Sequence, residues 1–312
     1  MRRGVVLLLL SLARLAAWST LSHTAEARTR ARTVCCAERP VAIVTGGTGG
    51  IGLACAHRLA DAGSNLVLSY GHDASRASAA CDELIAAHGC RAVGVGGDLT
   101  SEEGRAATVK AVFEAVDGLG GRVSHFVHAA GFFADDLLSH HFDGGLGDEN
   151  DDFAMYDAYQ SIYPKAFASI SDGAIKRMPP ESPGRIVAIS NPGCNHLQTP
   201  RVGYDMAGQG KATMEHIVRL YALRCAERGI CVNSISPGYT DTKEWNKARL
   251  AMGQGDLAKG AELLDQRMLS RSPIKRWAAP DEIAKAVAFL TVENTGLVTG
   301  AAVPVDGGLH LT

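Results

Sequence analysis

The stretch TGGTGGIG, Thr45 to Gly52, decides how this chain folds. It follows the apolar run VAIV and opens IGLACAHRLADAG, a segment of helical apolar spacing that stops at Gly63. Gly46, Gly50 and Gly52, with Thr48 and Ile51 among them, let the backbone turn tightly from strand to helix and come close to a diphosphate. The helix start adds free N–H groups and the positive end of its dipole. Glycine-rich turns are common, so the string alone says little. Lying between a strand and a helix, it predicts a dinucleotide site.

Outward from this loop, strands and helices alternate. NLVLSY reads as a second strand and DASRASAACDELIAAHG as a second helix. RAVGVGGDLT is a weaker strand, followed by a helix that Ser101 is placed to cap. VSHFVHAAG is a fourth strand. GRIVAIS and ICVNSISPG are later strands, separated by a long helix from about Tyr204 to Glu227. Apolar strands alternating with helices predict an α/β fold: a single doubly wound Rossmann domain, its mostly parallel sheet covered by helices on both faces. The domain is expected over 41–312. Residues 238–270 form a polar helical excursion after a strand end, where a small substrate lid belongs. The acidic segment at 140–153 reads as a solvated insertion.

Hydrophobic residues make up 46% of the 312 and charged residues 21%, which suits a large core rather than disorder. Net charge is −2, but residues 1–40 hold seven Arg against two acids, so the body is about −7. That balance gives no support for a nucleic-acid surface. The basic tip, short apolar run and Arg-rich stretch of 1–40 read as a targeting leader, too short and interrupted for a stable membrane span. The expected destination is an organelle, a plastid before a mitochondrion, with the secretory pathway as the alternative. The eight Cys show no CxxC and no metal-like pairing with His, so no metal site is expected. His128, His196 and His216 lack any mutual spacing for a relay and read as packed or surface histidines.

An acid ending the second strand would hold a ribose 2′-hydroxyl and repel a 2′-phosphate. Here that strand ends Ser69-Tyr70-Gly71-His72, which favours NADP(H) over NAD(H), with His72 and Arg76 as the nearest basic residues. Asp98, followed by Leu99, is placed to meet the adenine edge.

These residues resemble the short-chain dehydrogenase/reductase family from Val41 to the C-terminus. HAAG, with Ala129, Ala130 and Gly131, resembles the motif that closes the family's fourth strand. SPGYTDT resembles its segment beside the nicotinamide, with Pro237, Gly238 and Thr242 in place. VTGAAVPVDGG looks like its last strand. The resemblance implies that Tyr204 supplies a proton, that Lys211 holds the nicotinamide ribose, that a Ser and an Asn assist, and that the chain forms a homodimer or homotetramer. Three positions depart from the family pattern. Ala207, not Tyr, precedes Lys211 by four residues. The Ser position falls on Asn191, with Ser190 beside it, and either could serve. Tyr163 falls about where the Asn belongs.

Tyr204 precedes Lys211 by seven residues. On a helix, four residues turn through about 400° and seven through about 700°, so both spacings share a face, the longer one reaching about 4.5 Å further along the axis. Carbonyl reduction puts hydride and proton on adjacent atoms. Reduction of an α,β-unsaturated thioester puts hydride on the β carbon and negative charge on an oxygen further away, which calls for a donor further out. YDMAGQGKATMEHIVR also resembles the enoyl-ACP reductases, whose pair is Tyr-x6-Lys. The expected substrate is an acyl-carrier-bound or CoA-bound enoyl thioester. A 3-oxoacyl or other carbonyl reductase and a non-catalytic NAD(P)-binding module are the alternatives.

Overall fold

The computed structural model describes residues 39–131, 153–195, 198–200, 204–293 and 296–312. The leader apart from 39–40, the insertion apart from Phe153, and His196 lie outside the described residues. Seven strands form one sheet: β1 (Val41–Thr45), β2 (Asn65–Tyr70), β3 (Ala92–Gly96), β4 (Val123–His128), β5 (Arg185–Ile189), β6 (Cys231–Pro237) and β7 (Ala302–Val305). Their order is β3-β2-β1-β4-β5-β6-β7, and every pairing is parallel. The chain reverses its winding between β1 and β4, and the carboxyl ends of strands at such a switch point open a crevice for ligand.

Successive side chains on a strand point to opposite faces, so a sheet covered on both sides makes two cores. Val41 and Ile43 of β1 join Phe126, Phe167, Ile170 and Met214 on one face. Ala42 and Val44 join Leu59, Leu66, Ile283 and Val287 on the other. Helix α1 (Gly50–Asp61) packs on this second face with α9 (Pro280–Thr291). Helix α2 (Ala74–His88) ends at Gly89, whose φ of 57° lies in the left-handed region that glycine adopts without strain. Helix α3 (Glu102–Gly118) is capped as its sequence predicts: the Ser101 hydroxyl accepts the Gly104 N–H at 3.2 Å. The six described cysteines are buried, and no disulfide joins any two of them. Among the described residues, no helix is long and apolar enough to cross a membrane, and no cluster of His, Cys, Asp and Glu is arranged to hold a metal ion.

Two details differ from the sequence reading. Tyr163, read as standing at the Asn position, lies in an interrupted helix: α4 (Ala154–Gln160) passes through a wide π-helical turn at Ser161–Lys165 into α5 (Ala166–Arg177). Pro164 lies in that turn, lacks an N–H and cannot complete a regular ladder. The long helix α6 runs Asp205–Cys225, and Tyr204 is its N-cap, with φ −126° and ψ 29°. The helix still begins on Tyr204, because the Gly208 N–H donates to the Tyr204 carbonyl at 2.7 Å. The polar excursion after β6 folds as α7 (Trp245–Met252) and α8 (Leu257–Leu269).

Candidate active site

One cavity of about 600 Å³ opens at the carboxyl ends of the strands around β1 and β4. Its wall includes every predicted cofactor residue: Gly46, Thr48, Gly50, Ile51, Gly52, Tyr70, His72, Asp98, Leu99, Ala129, Ala130, Gly131, Lys211, Pro237, Gly238 and Thr242. Tyr204, Ser190 and Asn191 line it too. Helices α7 and α8 add Trp245, Ala248, Leu264 and Met268, which places the excursion against the same space.

The glycine loop fits a dinucleotide by its geometry. A Cβ on Gly52 would stand 2.1 Å from the Gly46 carbonyl oxygen, and one on Gly46 would stand 2.8 Å from that of Ala129. Gly49 caps α1 without a side-chain hydrogen bond, leaving the first N–H groups to meet a phosphate. The Asp98 carboxylate is engaged by its own loop: Oδ1 accepts the Thr100 N–H at 2.8 Å and hydroxyl at 2.6 Å, and Oδ2 accepts the Ser101 hydroxyl at 2.8 Å. The Thr100 hydroxyl bond, first among these, holds its acid below the usual carboxylate range. Sequence reasoning missed what Arg76 does. Its Nε donates to the Thr48 carbonyl at 3.0 Å, and its Nη2 pairs at 3.2 Å with Glu244, just before α7. The guanidinium thus lies across the glycine loop at Gly49.

Around Lys211 the site departs from the expected relay. Its ammonium is buried and donates to the Ser190 carbonyl at 3.0 Å and the Ile189 carbonyl at 3.3 Å. Burial pushes it down to about 8, against the opposing pull of Cys194 and Glu215. The Ser190 hydroxyl is fully buried and donates to Glu215, one helical turn beyond Lys211. Of the two residues at the Ser position, Asn191 is the partly exposed one. Burial, followed by its neighbours Tyr163, Cys194 and Tyr159, raises Tyr204 well above the usual phenol range, so its hydroxyl stays protonated. Tyr204 also shares a hydrogen bond with Tyr163.

His128 is a packed histidine that ties three parts of the site together. The Thr45 hydroxyl accepts the Ala130 N–H at 3.2 Å and donates to His128 Nδ1 at 2.8 Å, because the Ile162 carbonyl at the other ring nitrogen can only accept. The proton then belongs on Nε2, which donates to the Ile162 carbonyl at 3.0 Å, in the π-turn. Burial, reinforced by Lys211 and opposed by the Ile162 bond, lowers His128 to about 3. The unfolded chain takes up this proton near 6.5, and the folded chain does not. Stability from this group is therefore complete above pH 6.5 and is lost as pH falls toward 3, at about 1.4 kcal/mol per unit. His125, lowered to about 4 mainly by burial, has the same sign. Denaturant titrations of His128→Asn between pH 7 and 5 are expected to lose about 2 kcal/mol less than wild type. An unchanged pH slope would show that His128 is not the neutral group described.

A family model described as Enoyl-(Acyl carrier protein) reductase matches residues 46–310. The chain is 29% identical over 275 residues to an acetoacetyl-CoA reductase of Allochromatium vinosum, covering 87% of this chain and 98% of that protein. It is 32% identical over 277 residues to a 1-cyclohexenylcarbonyl-CoA reductase of Streptomyces collinus, covering 88% of each. The crystal structure of L-sorbose reductase from Gluconobacter frateurii, complexed with NADPH and L-sorbose, superposes with a TM-score of 0.75 at 26% identity, covering 88% of this chain and 98% of that one. With its parallel sheet, glycine loop and Lys-bearing helix, the chain belongs to the short-chain dehydrogenase/reductase family of NAD(P)-dependent oxidoreductases.

Proposed function

We propose that this oxidoreductase reduces the carbon–carbon double bond of an α,β-unsaturated acyl thioester, with NADPH as donor. The observation that carries the reading is the placement of Tyr204. It precedes Lys211 by seven residues, begins helix α6, lines the cavity and is held protonated. A bound NAD(P)H supplies the hydride. The loop at Gly46–Gly52 and the start of α1 bind its diphosphate, and the buried Lys211 ammonium is the charge available to its ribose. The Tyr204 hydroxyl meets the thioester oxygen, on which negative charge gathers once the β carbon has taken hydride. The neutral phenol donates a hydrogen bond to that oxygen and is the proton source nearest to it. Leu264 and Met268 give the cavity an apolar wall for an acyl chain, while Arg267 and Arg271 put positive charge on it, suited to the phosphate of a carrier arm.

Arg76 supports NADPH. No acid ends β2, and the guanidinium lies at the loop where a 2′-phosphate would arrive. The sorbose reductase was solved as a complex with NADPH, a member of the same cofactor class. The second reading, reduction of a 3-oxoacyl thioester, is favoured by relatives named acetoacetyl-CoA reductase and 3-oxoacyl-[acyl-carrier-protein] reductase. One assay separates the readings: purified protein with NADPH or NADH, against crotonyl- and longer enoyl-CoA and against acetoacetyl-CoA. The expected result is oxidation of NADPH by the enoyl thioesters, faster than of NADH. Turnover of acetoacetyl-CoA alone would replace the first reading by the second.

A further inference from the structure

Tyr163 occupies the heart of this cavity, on a different element from Tyr204 and Lys211. The π-turn at Ser161–Lys165 carries it, and the His128 bond to the Ile162 carbonyl fixes the turn beside it. Its ring is 3% exposed and stacks on Tyr159 with centroids 5.8 Å apart and planes 13° apart. Gly210 of α6 admits this pair, because a Cβ there would stand 3.0 Å from the Tyr163 ring and 2.9 Å from the Tyr159 carbonyl oxygen. The Lys211 ammonium sits 4.9 Å from the centroid of the Tyr163 ring. At its other end, the Tyr163 hydroxyl lies 3.3 Å from the Cβ position of Gly131, at the end of β4, and bonds to Tyr204.

We propose that Tyr163 is a second catalytic phenol, whose hydroxyl joins that of Tyr204 in donating to the thioester oxygen as it becomes an enolate. The proposal rests on the enoyl reading. Without substrate, the Tyr204 hydroxyl donates to that of Tyr163. When the substrate oxygen enters, both protons turn toward it, and its lone pairs accept two donors, the usual number in an oxyanion site. No bond to either phenol forms or breaks in this step, and neither hydroxyl is left buried without a partner. The seven-residue spacing gains a further meaning. A lysine four residues from its tyrosine acts on that tyrosine's hydroxyl. Here the Lys211 ammonium lies over the face of the Tyr163 ring, a cation–π contact that holds the phenol in place.

The test begins with Tyr163→Phe, which removes one oxygen and keeps the stack on Tyr159 and the ring beneath Lys211. With crotonyl-CoA and NADPH, kcat is expected to fall about 10- to 100-fold, the low side of the loss on removing one oxyanion donor. KM, NADPH affinity by fluorescence quenching, and melting temperature are expected to stay near wild type. Replacing Tyr163 alone by 3-fluorotyrosine, a stronger hydrogen-bond donor of nearly the same size, is expected to raise kcat at pH 7 about two- to fivefold with KM unchanged. That readout is insensitive to a packing role and holds even if the Phe variant folds poorly. Wild-type kcat in the Phe variant, or an unchanged kcat in the fluorinated protein, would overturn the proposal and leave the enoyl reading standing. An unmutated protein that turns over only acetoacetyl-CoA would overturn both.

Discussion

Tyr204→Phe is expected to lower kcat on crotonyl-CoA about 10²- to 10³-fold, the loss typical of removing a donor aimed at developing charge. NADPH affinity is expected to change by less than about twofold, since the hydroxyl is proposed to meet the substrate oxygen and not the diphosphate cradle. The ring is partly buried and packs against the core, and Phe preserves that packing. The loss therefore belongs in kcat, because a hydrogen bond that strengthens only as the enolate forms contributes little to substrate binding. Burial and neighbouring groups hold the Tyr204 acidity far above neutral pH, so the parent enzyme should show no loss of this donor between pH 6 and 9. The measurement is steady-state kinetics of NADPH oxidation, with binding followed separately. A variant with wild-type kcat would remove Tyr204 from the chemistry and leave the seven-residue spacing without a catalytic meaning.

The fold was legible because its strands are buried on both faces. Such strands read as continuous apolar runs, and VAIVT, NLVLSY and RIVAI all lie where those runs predicted. The glycine loop was legible for a local reason: strand, turn and helix start are contiguous in sequence, and so is their contact with a phosphate. The parts that sequence did not reveal depend on contacts between distant elements. Ser190 and Asn191 are adjacent at the end of β5, so one residue of register decides which meets Glu215 and which stays partly exposed at the cavity, and no local pattern records that choice. Arg76 was noticed only as a basic residue near a strand end. Its pairing with Glu244 joins the glycine loop to the start of α7 and required the tertiary fold. Tyr163 was identified by position as the replacement for an Asn, but its reach to Gly131 and Tyr204 follows from the π-turn. Pro164, beside Tyr163, was the available signal, since a proline within a helical pattern marks a break in it.

Gly52→Ala is expected to lower both stability and NADPH affinity. The new Cβ would stand 2.1 Å from the Gly46 carbonyl oxygen, 2.8 Å from the Gly46 carbonyl carbon and 3.2 Å from the Gly47 Cα. All three are backbone atoms, so no side chain can rotate away. Gly46 has little room to retreat. Its φ of 64° and the 2.8 Å from its own Cβ position to the Ala129 carbonyl oxygen lock it against the end of β4. The helix start must therefore move outward and carry the Ile51 and Gly52 N–H groups away from the diphosphate. Overpacking of this kind costs about 1–3 kcal/mol of stability, read as a lower melting temperature. Misplaced phosphate donors should weaken NADPH binding by at least about 100-fold, equivalent to about 2.8 kcal/mol. The two effects are separable: denaturant unfolding reports the first, and fluorescence titration of the folded variant reports the second. A Gly52→Ala protein that binds NADPH as tightly as wild type would mean that the diphosphate does not rest on the start of α1.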